Sequence, residues 1–185
     1  MLPKPVIDWI VDNGFGDVLS TQLIGGGCIS NSSSLITSTG NKFFLKTNQN
    51  NPADMFIQEA EGLKALCLPF GPRVPVPYTV GSEFILLEHL NPGRPTAGYW
   101  ETLGTQLACL HNITREQFGF EHNNYIGRIH QINTWQNNGH EFFGNQRLLY
   151  QARRANKNGL LDGNAFQHVE RLIMHLDNLV PFQPA

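Results

Sequence analysis

Charge is scarce in this chain. Of its 185 residues only 15% are Asp, Glu, Lys or Arg, and the formal net charge is −2. There is no Lys/Arg stripe or cluster, which makes nucleic acid a poor partner. No apolar run approaches the roughly 18–20 residues that span a bilayer. The start, Met1-Leu2-Pro3-Lys4-Pro5, lacks a charged-then-apolar leader pattern. The expectation is a cytoplasmic protein with neither a nucleic-acid nor a membrane partner.

Cysteine is also sparse. Cys28, Cys67 and Cys109 are three in number and far apart, so they form neither a disulfide framework nor a metal-ligand set. Cys67 and Cys109 lie in helix-like apolar contexts and read as buried packing residues. Cys28 stands inside a glycine run, where amides aimed at anions would favour a thiolate, or where a small residue merely fits a turn. No Gly-Lys pair occurs anywhere, which excludes a Walker-type phosphate loop. A dinucleotide fingerprint needs a helix directly after its glycines, whereas Ser32 to Thr37 reads as strand. No internal repeat is present.

What the chain does have is enough apolar material, 41% of residues, for one sizeable domain or two small lobes. Val6 to Asn13 reads as a short amphipathic helix ended by Gly14. Thr21 to Ile24, Ser33 to Thr37 and Lys42 to Thr47 read as strands of an antiparallel sheet, with Gly40-Asn41 turning the last pair. Met55 to Cys67 reads as a helix with Phe56, Glu59, Leu63 and Leu66 on one face. Val76 to Val80 and the continuous apolar run Phe84-Ile85-Leu86-Leu87 give two more strands. Asn91-Pro92-Gly93-Arg94-Pro95 is the expected boundary, dividing residues 1–90 from 91–185. Beyond it Trp100, Leu103, Leu107 and Leu110 recur at helical spacing. Gln117 to Gln131 reads as irregular. Glu141 to Arg154 and Ala165 to Leu179 read as helices.

Between the first two strands sit Gly25-Gly26-Gly27, and Lys46 follows in the third strand. A glycine turn lets backbone approach a polyphosphate closely, and a strand-borne lysine brings a positive charge to the same phosphates. A flexible hairpin turn is the alternative reading of the glycines alone. Glu59 is a carboxylate on an apolar stripe, which either finds a partner such as Lys46 or reaches solvent at the rim. The order is strand, glycine loop, strand, Lys-bearing strand, Glu-bearing helix, apolar strand, connector, helices. That is the order of the small lobe in protein-kinase-like enzymes.

Several runs make the likeness narrower. They are Gly25-Gly26-Gly27-Cys28-Ile29-Ser30, Phe43-Phe44-Leu45-Lys46-Thr47-Asn48, Met55-Phe56 with Glu59, and Leu87-Glu88-His89-Leu90. Leu103-Gly104, Leu107-Ala108, Leu110-His111, Gln117-Phe118-Gly119-Phe120 and Asn124-Tyr125-Ile126-Gly127 follow. Gln131, Asn133, Trp135, Phe142-Phe143 and Arg147-Leu148 complete the series. Over nearly its whole length the chain resembles the fructosamine kinase (ketosamine-3-kinase) family, relatives of the aminoglycoside phosphotransferases.

The resemblance implies an α+β, protein-kinase-like fold. Its small lobe would hold an antiparallel sheet and one helix, followed by a truncated, mostly helical large lobe. By the same resemblance, ATP would be bound by Gly25, Gly26, Gly27, Cys28, Ile29 and Ser30 over the phosphates, with Lys46 on the phosphates and Glu59 paired to it. Glu88, His89 and Leu90 would meet adenine. Phe118, Asn133 and Trp135 are acceptor-side candidates, although Phe118 and Trp135 also read as core aromatics. The implied reaction is phosphorylation of a sugar hydroxyl on a small-molecule or protein-bound ketosamine, a deglycation repair, using ATP and Mg²⁺.

Three positions depart from the family pattern. Gly139 stands where a second tryptophan is usual, His130 replaces a common proline, and Ile57 replaces an acidic residue. Gly139 bears on acceptor choice.

A larger departure is that the catalytic His-Gly-Asp run expected of the family is not found among the 185 residues. The nearest imitation, His175-Leu176-Asp177, sits in a helical stripe with Phe182 where a metal-binding Asn would be needed. The reading is therefore of a truncated product or incomplete gene model, with no catalytic residue or metal ligand of its own and inactive alone. Self-association through exposed apolar surface or Cys28 would follow. Two alternatives stay open: a kinase of another small amine-bearing acceptor, and a non-catalytic fragment that binds nucleotide or a partner. Cys28 is also a candidate redox position, since a disulfide between two such loops would reshape the ATP site.

Overall fold

In the computed structural model the described residues are 2–25 and 30–185. Their contacts divide them into two units, Met1–Asn112 and Ile113–Ala185. The sequence places the division at 90/91, in the proline-rich loop. Helix α3 (Tyr99–His111) instead falls with the first unit, where its first turns and the Pro72-Arg73 loop line one 360 Å³ cleft.

The first unit is built on a five-stranded antiparallel sheet in the order β1-β2-β3-β5-β4. Its strands are β1 (Val18–Ile24), β2 (Asn31–Thr37), β3 (Lys42–Thr47), β4 (Pro77–Val80) and β5 (Phe84–Glu88). Gly40, at φ 80°, makes the tight β2–β3 turn that side-chain-bearing residues resist. Both faces of the sheet are covered, and strand periodicity shows how. On β3, Phe43 and Leu45 point to one face, where they pack with Leu35, Phe84 and Leu86 against Val6 and Ile10 of α1 (Lys4–Asp12). Phe44 points to the other face, where Ile85 and Leu87 meet Phe56, Ala60 and Leu63 of α2 (Met55–Leu66). Central strand β5 is buried on both sides, which is why its sequence is continuously apolar rather than alternating.

Strand β1 begins three residues before the expected Thr21, because a register shift between Val18 and Ser20 interrupts its alternation. Cys67 is exposed and not a packing residue. The buried stripe of α2 ends before its last turn, and Cys67 is the C-cap beyond it. Cys109 is half-buried. Helix α3 carries no buried residue, and its Trp100 is 72% exposed.

In the second unit, the stretch read as irregular contains a short hairpin, β6 (Asn124–Ile126) with β7 (Ile129–Gln131). A continuous helical run follows: α4 (Gly139–Glu141), a π-helical segment Phe142–Leu149, and α5 (Tyr150–Lys157). The Asn138 side chain caps its start by accepting from His140 and Glu141 N–H. The last expected helix is two: α6 (Gly163–Met174), capped by Asp162, and α7 (Leu176–Leu179), with the break at His175. No helix of the described residues is long and apolar enough to cross a membrane.

Candidate nucleotide site and acceptor-side framework

Lys46 follows Leu45 on β3 and so points to the α2 face of the sheet, cross-strand from Ser32 on β2 and Ile85 on β5. On α2, Phe56, Ala60 and Leu63 recur at helical spacing against that face, and Glu59 sits beside them. The two periodicities bring the charges together. Lys46 Nζ donates to Oε1 and Oε2 of Glu59, each at 2.7 Å. Their side chains are 27% and 30% exposed, and the Phe56 ring lies 6.0 Å from the ammonium. Glu59 is therefore partnered and does not simply reach solvent. The small side chains of Ser32 and Ser34 on β2 face Lys46 and Phe44, which leaves this part of the sheet face uncrowded.

The glycine loop enters at Gly25, which is exposed, and leaves at half-buried Ser30. Gly26, Gly27, Cys28 and Ile29 lie outside the described residues. At the far end of β5, Glu88 turns its carboxylate away to the preceding loop. It pairs with Arg73 and accepts from Val76 N–H at 3.4 Å, while its own N–H donates to the Val76 carbonyl at 2.8 Å. His89 Nδ1 is buried without a partner among the described residues, and Leu90 is exposed. Tyr78, behind this strand end, stacks on Trp9 and meets Phe43 edge-on. Burial pushes its phenol pKa up, the Glu88 charge adds to the rise, and Arg73 opposes it.

In the second unit the acceptor-side candidates share one framework. Phe118 and Gln136 exchange backbone hydrogen bonds at 2.9 and 2.8 Å. Gly119, at φ 151°, lets this segment close on Trp135, since a Cβ there would lie 2.7 Å from the indole. Phe118 and Trp135 are both half-buried. Asn133 is only 2% exposed, and all its polar groups are used. Its N–H donates to Asn123 Oδ1, its Nδ2 to the His122 carbonyl, and its Oδ1 accepts from Arg147. Arg147 also donates to the Ile132 carbonyl at 2.6 Å and stacks over Phe142. Burial lowers its pKa. The neighbouring Gln146 donates to the Thr134 carbonyl at 2.9 Å.

A family model described as fructosamine kinase matches residues 11–184. The chain belongs to the fructosamine kinase family. It is 37% identical over 163 residues to "Protein-ribulosamine 3-kinase, chloroplastic" of Arabidopsis thaliana, covering 84% of this chain and 49% of that protein. It is 36% identical over 139 residues to "Probable ketoamine kinase slr1563" of Synechocystis sp., covering 72% and 47% respectively. The chain thus spans about half the length of the curated relatives it matches. The crystal structure of a protein from Thermobifida fusca, provisionally assigned as a fructosamine-3-kinase, superposes with a TM-score of 0.86 at 28% identity. It covers 97% of this chain and 64% of that one. The α+β, kinase-like architecture expected from the sequence is the one found.

Of the residues that the fructosamine-kinase resemblance singles out, the structure brings Lys46 and Glu59 into contact. Phe118, Asn133 and Trp135 are gathered in the second unit. Two features escaped the sequence reading: the Arg73–Glu88 pair and the Arg147–Asn133 clamp. Arg147 stood among the resembling runs, but no local pattern marks a side chain whose partners lie 14 and 15 residues away.

Proposed function

We propose that this chain provides the nucleotide-binding unit and part of the acceptor side of an ATP-dependent ketosamine kinase. Such an enzyme places a phosphoryl group on a sugar hydroxyl of a small-molecule or protein-bound ketosamine. The observation that carries the reading is the Lys46–Glu59 pair between strand β3 and helix α2 on the α2 face of the antiparallel sheet. An ammonium has three N–H donors. Glu59 takes two directions, which fixes the group and leaves a third for a phosphate oxygen. Two features suit ATP: a glycine run at 25–27 in the sequence between β1 and β2, and serines 32 and 34, which leave room on the sheet face beside Lys46. When bound, ATP supplies the phosphoryl group. Lys46 orients the phosphates and offsets their charge.

Mg²⁺ would accompany the nucleotide. Among the described residues no group of three His, Cys, Asp or Glu could hold a metal ion, so no step is assigned to a metal held by this chain. Nor does any carboxylate in the framework of the second unit stand in a His-Gly-Asp run, the source of the base in the family resemblance. We therefore expect the 185 residues alone to bind ATP without transferring phosphate. Incubation with ATP, Mg²⁺ and a fructosyl-amine checks both halves. The expected result is saturable ATP binding with no ADP formed. ADP formation dependent on the fructosyl-amine would refute inactivity of the chain and uphold the substrate class. Absence of ATP binding would refute the nucleotide reading.

A further inference from the structure

Strands β1 and β4 are the two edges of the first unit's sheet, and they are finished differently. β4 has four residues and opens on Pro77, which has no N–H to offer a further strand. β1 has seven, Val18-Leu19-Ser20-Thr21-Gln22-Leu23-Ile24, with no proline, glycine or charge among them, and all but Val18 are exposed. Among the described residues, the backbone of 18–24 makes no hydrogen bond outside its ladder with β2. Sheets commonly block such an edge with charge or proline, because its unpaired N–H and C=O groups are a template for another strand. Here the edge also carries Leu19 and Leu23, 69% and 78% exposed.

The side chains say which strand fits. Thr21 lies opposite Leu35 and Leu23 opposite Ser33, so both share the α1 side of the sheet, and counting back by two puts Leu19 with them. The strand is self-complementary about its middle residue. Turned end for end, it sets Thr21 against Thr21, Ser20 against Gln22, Leu19 against Leu23 and Val18 against Ile24. Just beyond, Asp17 meets Gly25, so no like charges face each other. A two-fold interface needs this property, since every contact of residue i with residue j is repeated as j with i. Opposed apolar and hydroxyl pairs are also the kind that stabilise antiparallel strands.

We infer that β1 docks against β1 of a second copy of this chain, antiparallel about a two-fold axis at Thr21, joining the two five-stranded sheets into one continuous sheet. Each exposed leucine then covers the other leucine of the partner strand, and both open edges are paired. At about 3.4 Å per residue the two Gly25 positions lie about 27 Å apart, at opposite ends of the paired strands. The glycine runs leave in opposite directions, and the association needs no bridge between thiols.

Sedimentation velocity of the full chain under reductant tests this, with Thr21→Lys and Thr21→Glu as variants. Thr21 is exposed, so neither change disturbs the core, and circular dichroism should match the wild type. The wild type should sediment as a dimer. Each variant places like charges on the axis and should weaken the dimer at least ten-fold, and an equimolar mixture of the two should restore it as a mixed dimer. A monomeric wild type, or a dimer that reductant disperses, overturns the inference. A dimer indifferent to both substitutions overturns β1 as its interface. A mixture that stays monomeric overturns the pairing of residue 21 with itself.

Discussion

Tyr78 shows how closely the first unit's aromatic cluster and its strand-end charges are tied together. Its ring stacks on Trp9, and its raised phenol pKa comes first from burial and then from the Glu88 carboxylate. A raised folded-state pKa means that the folded protein holds this proton more tightly than the unfolded chain. The associated stability is present in full below the unfolded value, near 10, and is lost as pH rises through the folded value. An alkaline absorbance titration should therefore show one of the four tyrosines ionising late, and Tyr78→Phe should remove that step. If the last phenol to ionise survives in Tyr78→Phe, the assignment is wrong. Lys46 and Glu59 belong at this scale too. Exposed by about a quarter to a third, they form a pair worth roughly 1 kcal/mol or less to folding. Replacing Lys46 should thus leave the protein folded and change what it binds.

At the scale of elements, the π-helical segment Phe142–Leu149 is the least ordinary part of the chain. Such segments are rare and recur at functional sites. Here consecutive residues Gln146 and Arg147 both reach the 132–134 stretch, and Arg147 bonds both Ile132 and Asn133. Lysine cannot reproduce a guanidinium fork. Arg147→Lys should cost about 2 kcal/mol, the scale of hydrogen bonds to a charged group, read as a lower midpoint in urea unfolding of the second unit. A change below about 0.5 kcal/mol would show that the clamp carries little.

Strand β3 was legible from sequence because Phe43 and Leu45 alternate with Phe44 and Lys46, and the α2 stripe was legible from Phe56 and Leu63. They placed Lys46 on a strand and Glu59 on an apolar helical stripe, while the pairing of the two was implied by the family resemblance. The role of α1 as the cover of the sheet's second face was not legible, since periodicity shows that a helix is amphipathic without naming what it packs on. Cys67 was misplaced because an apolar run outlasts the buried part of its helix. Asn133 is marked in the sequence only by the family resemblance, as an acceptor-side candidate, and no local pattern shows its hydrogen bonds to residues 122, 123 and 147.

At the scale of the whole molecule, large apolar side chains are conspicuous on the surface of each unit. Trp100 is exposed in the first unit, and Leu160, Met174, Leu179 and Phe182 are exposed in the second. Apolar side chains left in water in this way favour association. The chain should therefore associate as its concentration rises, seen as a growing apparent mass in sedimentation velocity. A single monomeric species up to high concentration would contradict this.

The central claim, that Lys46 held by Glu59 is the phosphate-binding charge of a nucleotide site, is tested most directly by calorimetric titration of ATP and of adenosine. The wild-type chain and Lys46→Ala are compared. The account predicts that the wild type prefers ATP, and that Lys46→Ala loses about 10- to 100-fold in ATP affinity, as expected for about 1.5–3 kcal/mol from a charged contact. Adenosine affinity should stay the same. Equal loss for both ligands, or none for ATP, would contradict it.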